Sequence, residues 1–334
     1  MHIPEQQPHS FQEANSGTRF EQPVQSIWHT GVSRALKAFA CLILVINPPV
    51  HWAILGPGWN FPLNMNFLNS ARMNRHVEGR QNSGICMVEG HSVHRIAAAH
   101  SQQLCGRSYK ASSPNGRFVE GAEMINGREF SRIEAIGKNL FAFFTKEGSP
   151  DTVVHVHFGM SGRWSLFQAE RAPEPTDTTR LRLEGHNLVS HLSAMTVQHG
   201  GLELYRSKRG ALGQDPLRKD ADPDTLWAKV SASSRSIGAL LMDQSYFAGV
   251  GNIFRCEILF VAGVHPEVPG KQLNRERFDT IWQASVRLMG HAFILGSIVT
   301  VLPEDALEVS RPGLRRWIYN SAHCSKCGGG VKSW

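Results

Sequence analysis

The chain has 334 residues, 41% of them hydrophobic and 19% charged. That is enough for two or three domains with buried cores and too apolar for a disordered polymer. Six cysteines in this length exclude a disulfide-framework miniprotein, and a net charge of +7 is compatible with a nucleic-acid or other acidic partner without proving one.

Residues 1–86 carry six basic and four acidic side chains and no sustained helical or strand period. They are expected to be a poorly ordered extension or the product of a misassigned start codon. An organelle-targeting or membrane-surface segment is the alternative. Within them Ala38–Ile46 is apolar, but Asn47-Pro48-Pro49 interrupts it. The run is too short to span a bilayer and too far along the chain for an ordinary signal peptide, so no membrane partner is expected.

From Met87 the pattern sharpens. His91–Gly106 places Val93, Ile96, Ala97 and Leu104 on one helical face, with Gly106 as a stop. Arg128–Ile136, Asn139–Lys146 and Thr152–Met160 read as strands. In the last, Val154, Val156 and Phe158 alternate with His155 and His157. Arg180–Leu183 and Leu202–Tyr205 add short strand-like alternations. A helical half follows. Asp222-Pro223-Asp224 caps a helix to about Val230, and Ser236 leads into Ile237, Leu240 and Leu241. Gly249-Val250-Gly251-Asn252 opens another helix, and a third runs from about Arg275 to His291. A Pro/Gly-containing link, Pro303–Gly313, leads to a tail with Cys324-Ser325-Lys326-Cys327.

Taken singly, each motif has a bland reading beside the functional one. The glycines before Asn252 let backbone N–H groups approach an anion such as a DNA phosphate, or simply supply turn angles. Cys324 and Cys327 are half of a zinc site that wants four ligands; the other four cysteines are scattered and His323 sits awkwardly beside Cys324. Lys138, in Ile136-Gly137-Lys138-Asn139, is a cation at a hairpin entry or a solvated surface lysine.

The order of the motifs is more specific. Met87-Val88-Glu89-Gly90 before a helix comes first, then Ile136-Gly137-Lys138 and His157-Phe158-Gly159-Met160-Ser161-Gly162. Leu241-Met242-Asp243-Gln244, Ala248-Gly249-Val250-Gly251-Asn252-Ile253 and a terminal CxxC complete the series. It resembles the formamidopyrimidine-DNA glycosylase / endonuclease VIII family from about Met87 to Trp334. Gly90–Arg95 and Ser113–Phe118 look closest to the endonuclease VIII-like branch, and His157–Gly162 to the formamidopyrimidine branch.

The resemblance implies an α+β fold: a β-sandwich with a leading helix, a helix–two-turn–helix domain and a zinc finger. It divides the chain into an extension (1–86), a sandwich (87–215), a helical DNA-binding domain (216–305) and a truncated finger (306–334). The implied activity is removal of oxidised bases from damaged DNA and strand cleavage by β,δ-elimination, through a Schiff base on the amine of the residue after the initiator Met. That residue matches Val88, where most members have Pro and some Val. An α-amino group, with a reference pKa near 7.7–8.0, holds a sizeable neutral fraction near pH 7.

Glu89 matches the catalytic carboxylate and Lys138 the hairpin lysine. His157 and Asn252 match phosphate contacts. Met160 matches the side chain that fills the gap left by a flipped base, although period two from Phe158 also allows an inward core Met. Ser92 stands where many members have a second Glu. Cys324 and Cys327 match two of four zinc ligands, so the zinc site is incomplete in this chain. Within 334 residues the Val88 nitrogen is an amide, so Schiff-base chemistry requires a form that begins at Met87 and loses it. The alternative is a catalytically inactive DNA-binding member. The expected setting is intracellular, with DNA; the family expectation is a monomer, and no protein partner is read from the sequence.

Overall fold

The computed structural model describes residues 88–332. The expectations for residues 1–86, the apolar run Ala38–Ile46 among them, lie outside the described residues. Among those described, no helix is long and apolar enough to cross a membrane.

Helix α1 (Gly90–Leu104) buries Val93, Ala97 and Leu104. It stops where Gly106 takes a positive φ of 78°, a conformation that glycine adopts without a Cβ penalty. Two antiparallel sheets follow. One runs β1 (Arg107–Ser108), β3 (Glu129–Ile136), β4 (Asn139–Lys146), β5 (Ser149–His157), β9 (Thr196–Gly200); the other runs β2 (Lys110–Ser112), β7 (Leu181–Gly185), β8 (Leu188–Ser193), β6 (Arg163–Gln168). Helix α2 (Val119–Ile125) lies between β2 and β3 in the chain. The fold is thus α+β, as the motif order implies.

Strand β4 explains why this half reads as apolar runs rather than clean alternation. Leu140, Ala142 and Phe144 face the core shared with α1 and the second sheet. Phe141 and Phe143 face the other way and are buried too, under α3 (Leu202–Gly210), whose Leu202 and Tyr205 pack on them. Each buried aromatic contributes about 1.5–3 kcal/mol. The expected strand at Leu202–Tyr205 is therefore wrong. The spacing i, i+3 of Leu202 and Tyr205 is the inner face of a helix, and four residues are too few to tell the two periods apart.

The imidazole face of β5 is real: His155 stacks on Phe141 at 5.1 Å between ring centroids, while Val154, Val156 and Phe158 enter the core. The strand ends at His157, not at Met160, because Gly159 turns the chain with φ 71°. Helix α2 and strands β1, β2, β6, β8 and β9 escape the sequence pattern.

The helical half comprises α4 (Pro223–Ser231), α5 (Ile237–Met242), α6 (Asn252–Ala262) and α7 (Arg275–Leu295) around a second core that includes Leu240, Phe254, Phe278 and Leu288. The caps are the expected ones. Asp222 accepts the amides of Asp224 and Thr225, and Ser236 accepts that of Ala239. The link after α7 is not extended throughout: Pro303 opens α8 (Pro303–Glu308), with Glu304 and Asp305 in its first turn.

The tail then docks on α6 through Glu257. This fully buried carboxylate accepts from Thr300 Oγ1 and from the amides of Trp317, Ile318 and Tyr319. Helix α1 is joined to the helical half by Arg95, whose guanidinium donates to the carbonyls of Phe293 (2.7 Å) and Ile294 (3.1 Å) at the end of α7.

Candidate active site

Three backbone segments meet without side chains between them. The Gly90 amide donates to the Gly249 carbonyl at 2.9 Å. A Cβ on Gly90 would lie 2.8 Å from Gly249 Cα, and one on Gly137 would lie 2.7 Å from Gly249 N. The start of α1, the β3–β4 turn and the loop before α6 thus approach at a distance only glycine permits. Gly137 also takes a φ of 60° at the first position of the two-residue turn, the conformation such hairpins require of it. The second position is Lys138. Gln244 shapes the third segment: its Oε1 accepts the Gly249 amide, and its Nε2 donates to the carbonyls of Met242 and Val250.

This junction places Glu89 on the N-terminus of α6. Its side chain is 1% exposed. Oε2 accepts the Gly251 amide and Oε1 the Ile253 amide, each at 3.1 Å, where the helix dipole favours a negative charge. The anion that the glycine-rich turn is expected to bind is therefore, at these two amides, the protein's own carboxylate. Gly251 is obligatory for the contact, since a Cβ there would sit 2.4 Å from Glu89 Cδ.

Burial pushes the Glu89 carboxyl above the usual carboxylate range, opposed by Lys138 and by the helix amides. Burial pushes Lys138 down, opposed by Glu89. Burial, with the charge of Lys138 behind it, pushes His157 down as well. The Gly159 amide donates to His157 Nδ1 at 3.3 Å, so in the neutral ring the proton sits on Nε2.

Val88, Glu89, Lys138, His157, Met160 and Asn252 all line one cleft of about 880 Å³. Met160 is 68% exposed there; the inward core alternative is excluded because the strand has already ended. The cleft wall also holds Arg117, inside the Ser113–Phe118 motif, Arg163 and Arg180, neither of which stands out in the sequence, and a second exposed methionine, Met195, at 63%. Met195 lies in the turn between β8 and β9, and its carbonyl accepts from Arg180 Nη2 at 3.0 Å. Against these cations the lining offers, among the described residues, only Glu89 and Asp177, so the cleft suits a polyanion. Ser92, at the position of an expected second carboxylate, donates its hydroxyl to the Glu89 carbonyl at 2.8 Å. It supports the first turn of α1 instead.

Cys324 is buried and Cys327 exposed, both as free thiols. Burial pushes the Cys324 thiol up, but amides of Cys327 and Lys326 bring it below the usual thiol value. Among the described residues, no three His, Cys, Asp or Glu side chains converge on a common point. Two thiols do not meet the four-ligand demand of structural zinc, so the residues described do not by themselves fit that ion.

Residues 87–193 match the formamidopyrimidine-DNA glycosylase N-terminal domain and residues 212–302 its H2TH domain. The chain is 37% identical over 261 residues to endonuclease 8 1 of Mycobacterium tuberculosis, covering 74% of this chain and 94% of that protein. It is 29% identical over 178 residues to a formamidopyrimidine-DNA glycosylase of Bacillus cereus, covering 51% and 62%. The fold is similar to that of LlFpg crystallised with a THF-DNA and an inhibitor, with a TM-score of 0.60, 20% identity, and 73% and 93% of the two chains covered. It is also similar to Lactococcus lactis Fpg in complex with DNA containing an abasic site, with a TM-score of 0.58, 19% identity and the same coverage. The chain therefore belongs to the formamidopyrimidine-DNA glycosylase / endonuclease VIII family of DNA-repair glycosylases.

Proposed function

We propose that this protein excises oxidised bases from DNA and cleaves the resulting abasic site by β,δ-elimination, with the α-amino group of Val88 as nucleophile. The observation that carries the reading is the convergence of Val88, Glu89, Lys138, His157, Met160 and Asn252 on one cationic cleft. The family match that starts at residue 87 supports a working form with Met87 removed. Residues 87–215 then supply the catalytic sandwich and 216–305 the DNA-binding helices.

The free amine attacks C1′ of the damaged nucleotide. The C1′–base bond breaks and the ring opens, giving an imine between Val88 and the sugar. The raised carboxyl of Glu89 holds a proton to higher pH than an exposed glutamate and delivers it to the opening sugar oxygen. A primary amine gives a neutral imine, which must be protonated to draw electrons. Loss of a C2′ proton then expels the 3′ phosphate, and the second elimination expels the 5′ phosphate.

Lys138 lies beside Glu89 and stabilises negative charge on the flanking phosphate. The Nε2–H of His157 and the amide of Asn252 donate to phosphate oxygens. Met160 fills the gap in the duplex, since an exposed, flexible apolar side chain enters a base step at little cost to the fold. No role in the chemistry falls to Cys324 and Cys327.

The test is a nicking assay on a duplex with one abasic site, using the form that begins at Val88 and its Glu89→Gln variant. The expected result is strand cleavage by the parent, with 3′- and 5′-phosphate ends, and a loss of at least 100-fold in the variant. Tight DNA binding without cleavage by either would replace this reading with a non-catalytic DNA-binding protein.

A further inference from the structure

Asp215 stands between the sandwich and the helical half and is 2% exposed. Its Oδ2 accepts the Gly137 amide at 2.6 Å and faces His94 Nε2 at 2.7 Å; its Oδ1 accepts the Leu217 amide at 2.9 Å. These partners belong to separate pieces of the site. Gly137 precedes Lys138 in the hairpin turn, His94 lies on α1 in the second turn after Glu89, and Leu217 opens the helical half.

The segment that carries Asp215 is itself fixed to the loop before α6. The amides of Gly213 and Gln214 donate to the carbonyls of Gln244 and Tyr246, and the Ala248 amide donates back to the Gln214 carbonyl. One buried carboxylate therefore ties the lysine's turn to the two elements that hold Glu89.

We propose that Asp215 is a positioning residue that holds Lys138 in register with Glu89 and the Val88 amine, and so sets the rate of strand cleavage. This rests on the reading of Lys138 given above. A carboxylate is needed because the two backbone partners are donors on opposite oxygens. An asparagine presents one oxygen and one NH2, so either the Gly137 amide or the Leu217 amide would face a second donor in a buried site. The Gly137 amide fixes the turn immediately before Lys138, and a shift of about 1 Å in a catalytic group can cost on the order of 100-fold in rate.

The test has two parts. Hydrogen exchange on the full chain reads the clamp without any need for activity. Asp215→Asn should speed exchange of the Gly137 amide at least 10-fold while the amides of β5 and α7 keep their protection. Unchanged exchange at Gly137 overturns the proposal. Single-turnover cleavage of abasic duplex then reads the consequence, using Asp215→Asn, Lys138→Ala and the double variant.

Asp215→Asn should lower the rate about 10- to 100-fold with DNA affinity within about 3-fold. In the Lys138→Ala background it should cost less than about 3-fold, because two residues acting through one group are not additive. Multiplying losses would mean a general structural role and overturn the proposal. A Lys138→Ala variant that cleaves normally would instead refute the role given to Lys138, and with it the cleavage arm. His94→Ala removes one partner and leaves the charge. It should show the same non-additivity at smaller amplitude, and it keeps the test decisive if Asp215→Asn does not fold.

Discussion

The contact between Glu89 and the start of α6 makes a prediction about Gly251 that backbone preference alone would get wrong. Gly251 has φ −122° and ψ −170°, ordinary extended backbone. At such a position Gly→Ala normally stabilises a protein by about 0.4–1 kcal/mol, by restricting the unfolded chain. Here the three atoms nearest the added Cβ are Cδ, Oε1 and Cγ of Glu89, at 2.4, 2.6 and 2.8 Å. The carboxylate must leave its two amides. Hydrogen bonds to a charged group are worth about 1.5–3 kcal/mol each, so Gly251→Ala should destabilise the protein by about 3–6 kcal/mol. That corresponds to a fall in Tm on the order of 10 °C. It should also abolish cleavage. In a Glu89→Ala background the clashing atoms are absent, so the same substitution should be neutral or stabilising. Urea melts of the four proteins, followed by far-UV circular dichroism, measure the cycle. Equal cost of Gly251→Ala in both backgrounds would refute the steric reasoning and the placement of Glu89.

Other outcomes follow from the same geometry. Met160→Ala should leave the melting temperature within about 1 °C, because the side chain is largely exposed, yet slow excision from duplex more than from single-stranded substrate; equal slowing on both would remove it from base flipping. Asn252→Ala should weaken DNA binding across sequences with little change in its salt dependence, because the lost donor is uncharged, and unchanged affinity at physiological salt would leave Asn252 as a helix-start residue only. Burial lowers His91, His100 and His155 to about 4. Groups depressed on folding give stability that is present above the unfolded value of about 6.5 and lost as pH falls through about 4. Stability should therefore drop between pH 6.5 and 4, and His100→Leu should reduce the slope; an unaltered slope would contradict burial of a neutral His100.

The members of the candidate cleft are easier to read in the sequence than the contacts that bring them together. Glu89, Lys138 and Asn252 are legible because each lies beside a glycine whose job is local: Gly90, Gly137 and Gly251 flank motifs that survive as short words. What the words cannot reveal is that Gly90 and Gly137 both touch Gly249, since those contacts join residues far apart in the sequence. Asp215 is invisible for the same reason; its partners at His94 and Gly137 are far away in sequence, and an acidic residue before a Pro-Leu pair has no local signature. The cleft arginines Arg163 and Arg180 look like any surface cation until the fold brings them to the same cleft as Arg117. Helix α3 is misread as a strand because its inner face has only two large apolar residues, and the four residues from Leu202 to Tyr205 fit either period.

The central claim is that the Val88 amine becomes covalently joined to DNA. Borohydride reduces a Schiff base to a stable cross-link, so trapping on an abasic duplex, followed by peptide mapping, locates the nucleophile. The 334-residue chain and a form beginning at Val88 are compared. The account predicts a cross-link on the N-terminal peptide of the short form and none in the long one, where the Val88 nitrogen is an amide. A cross-link mapped to Lys138 or to any other lysine, or equal trapping by both forms, would contradict it.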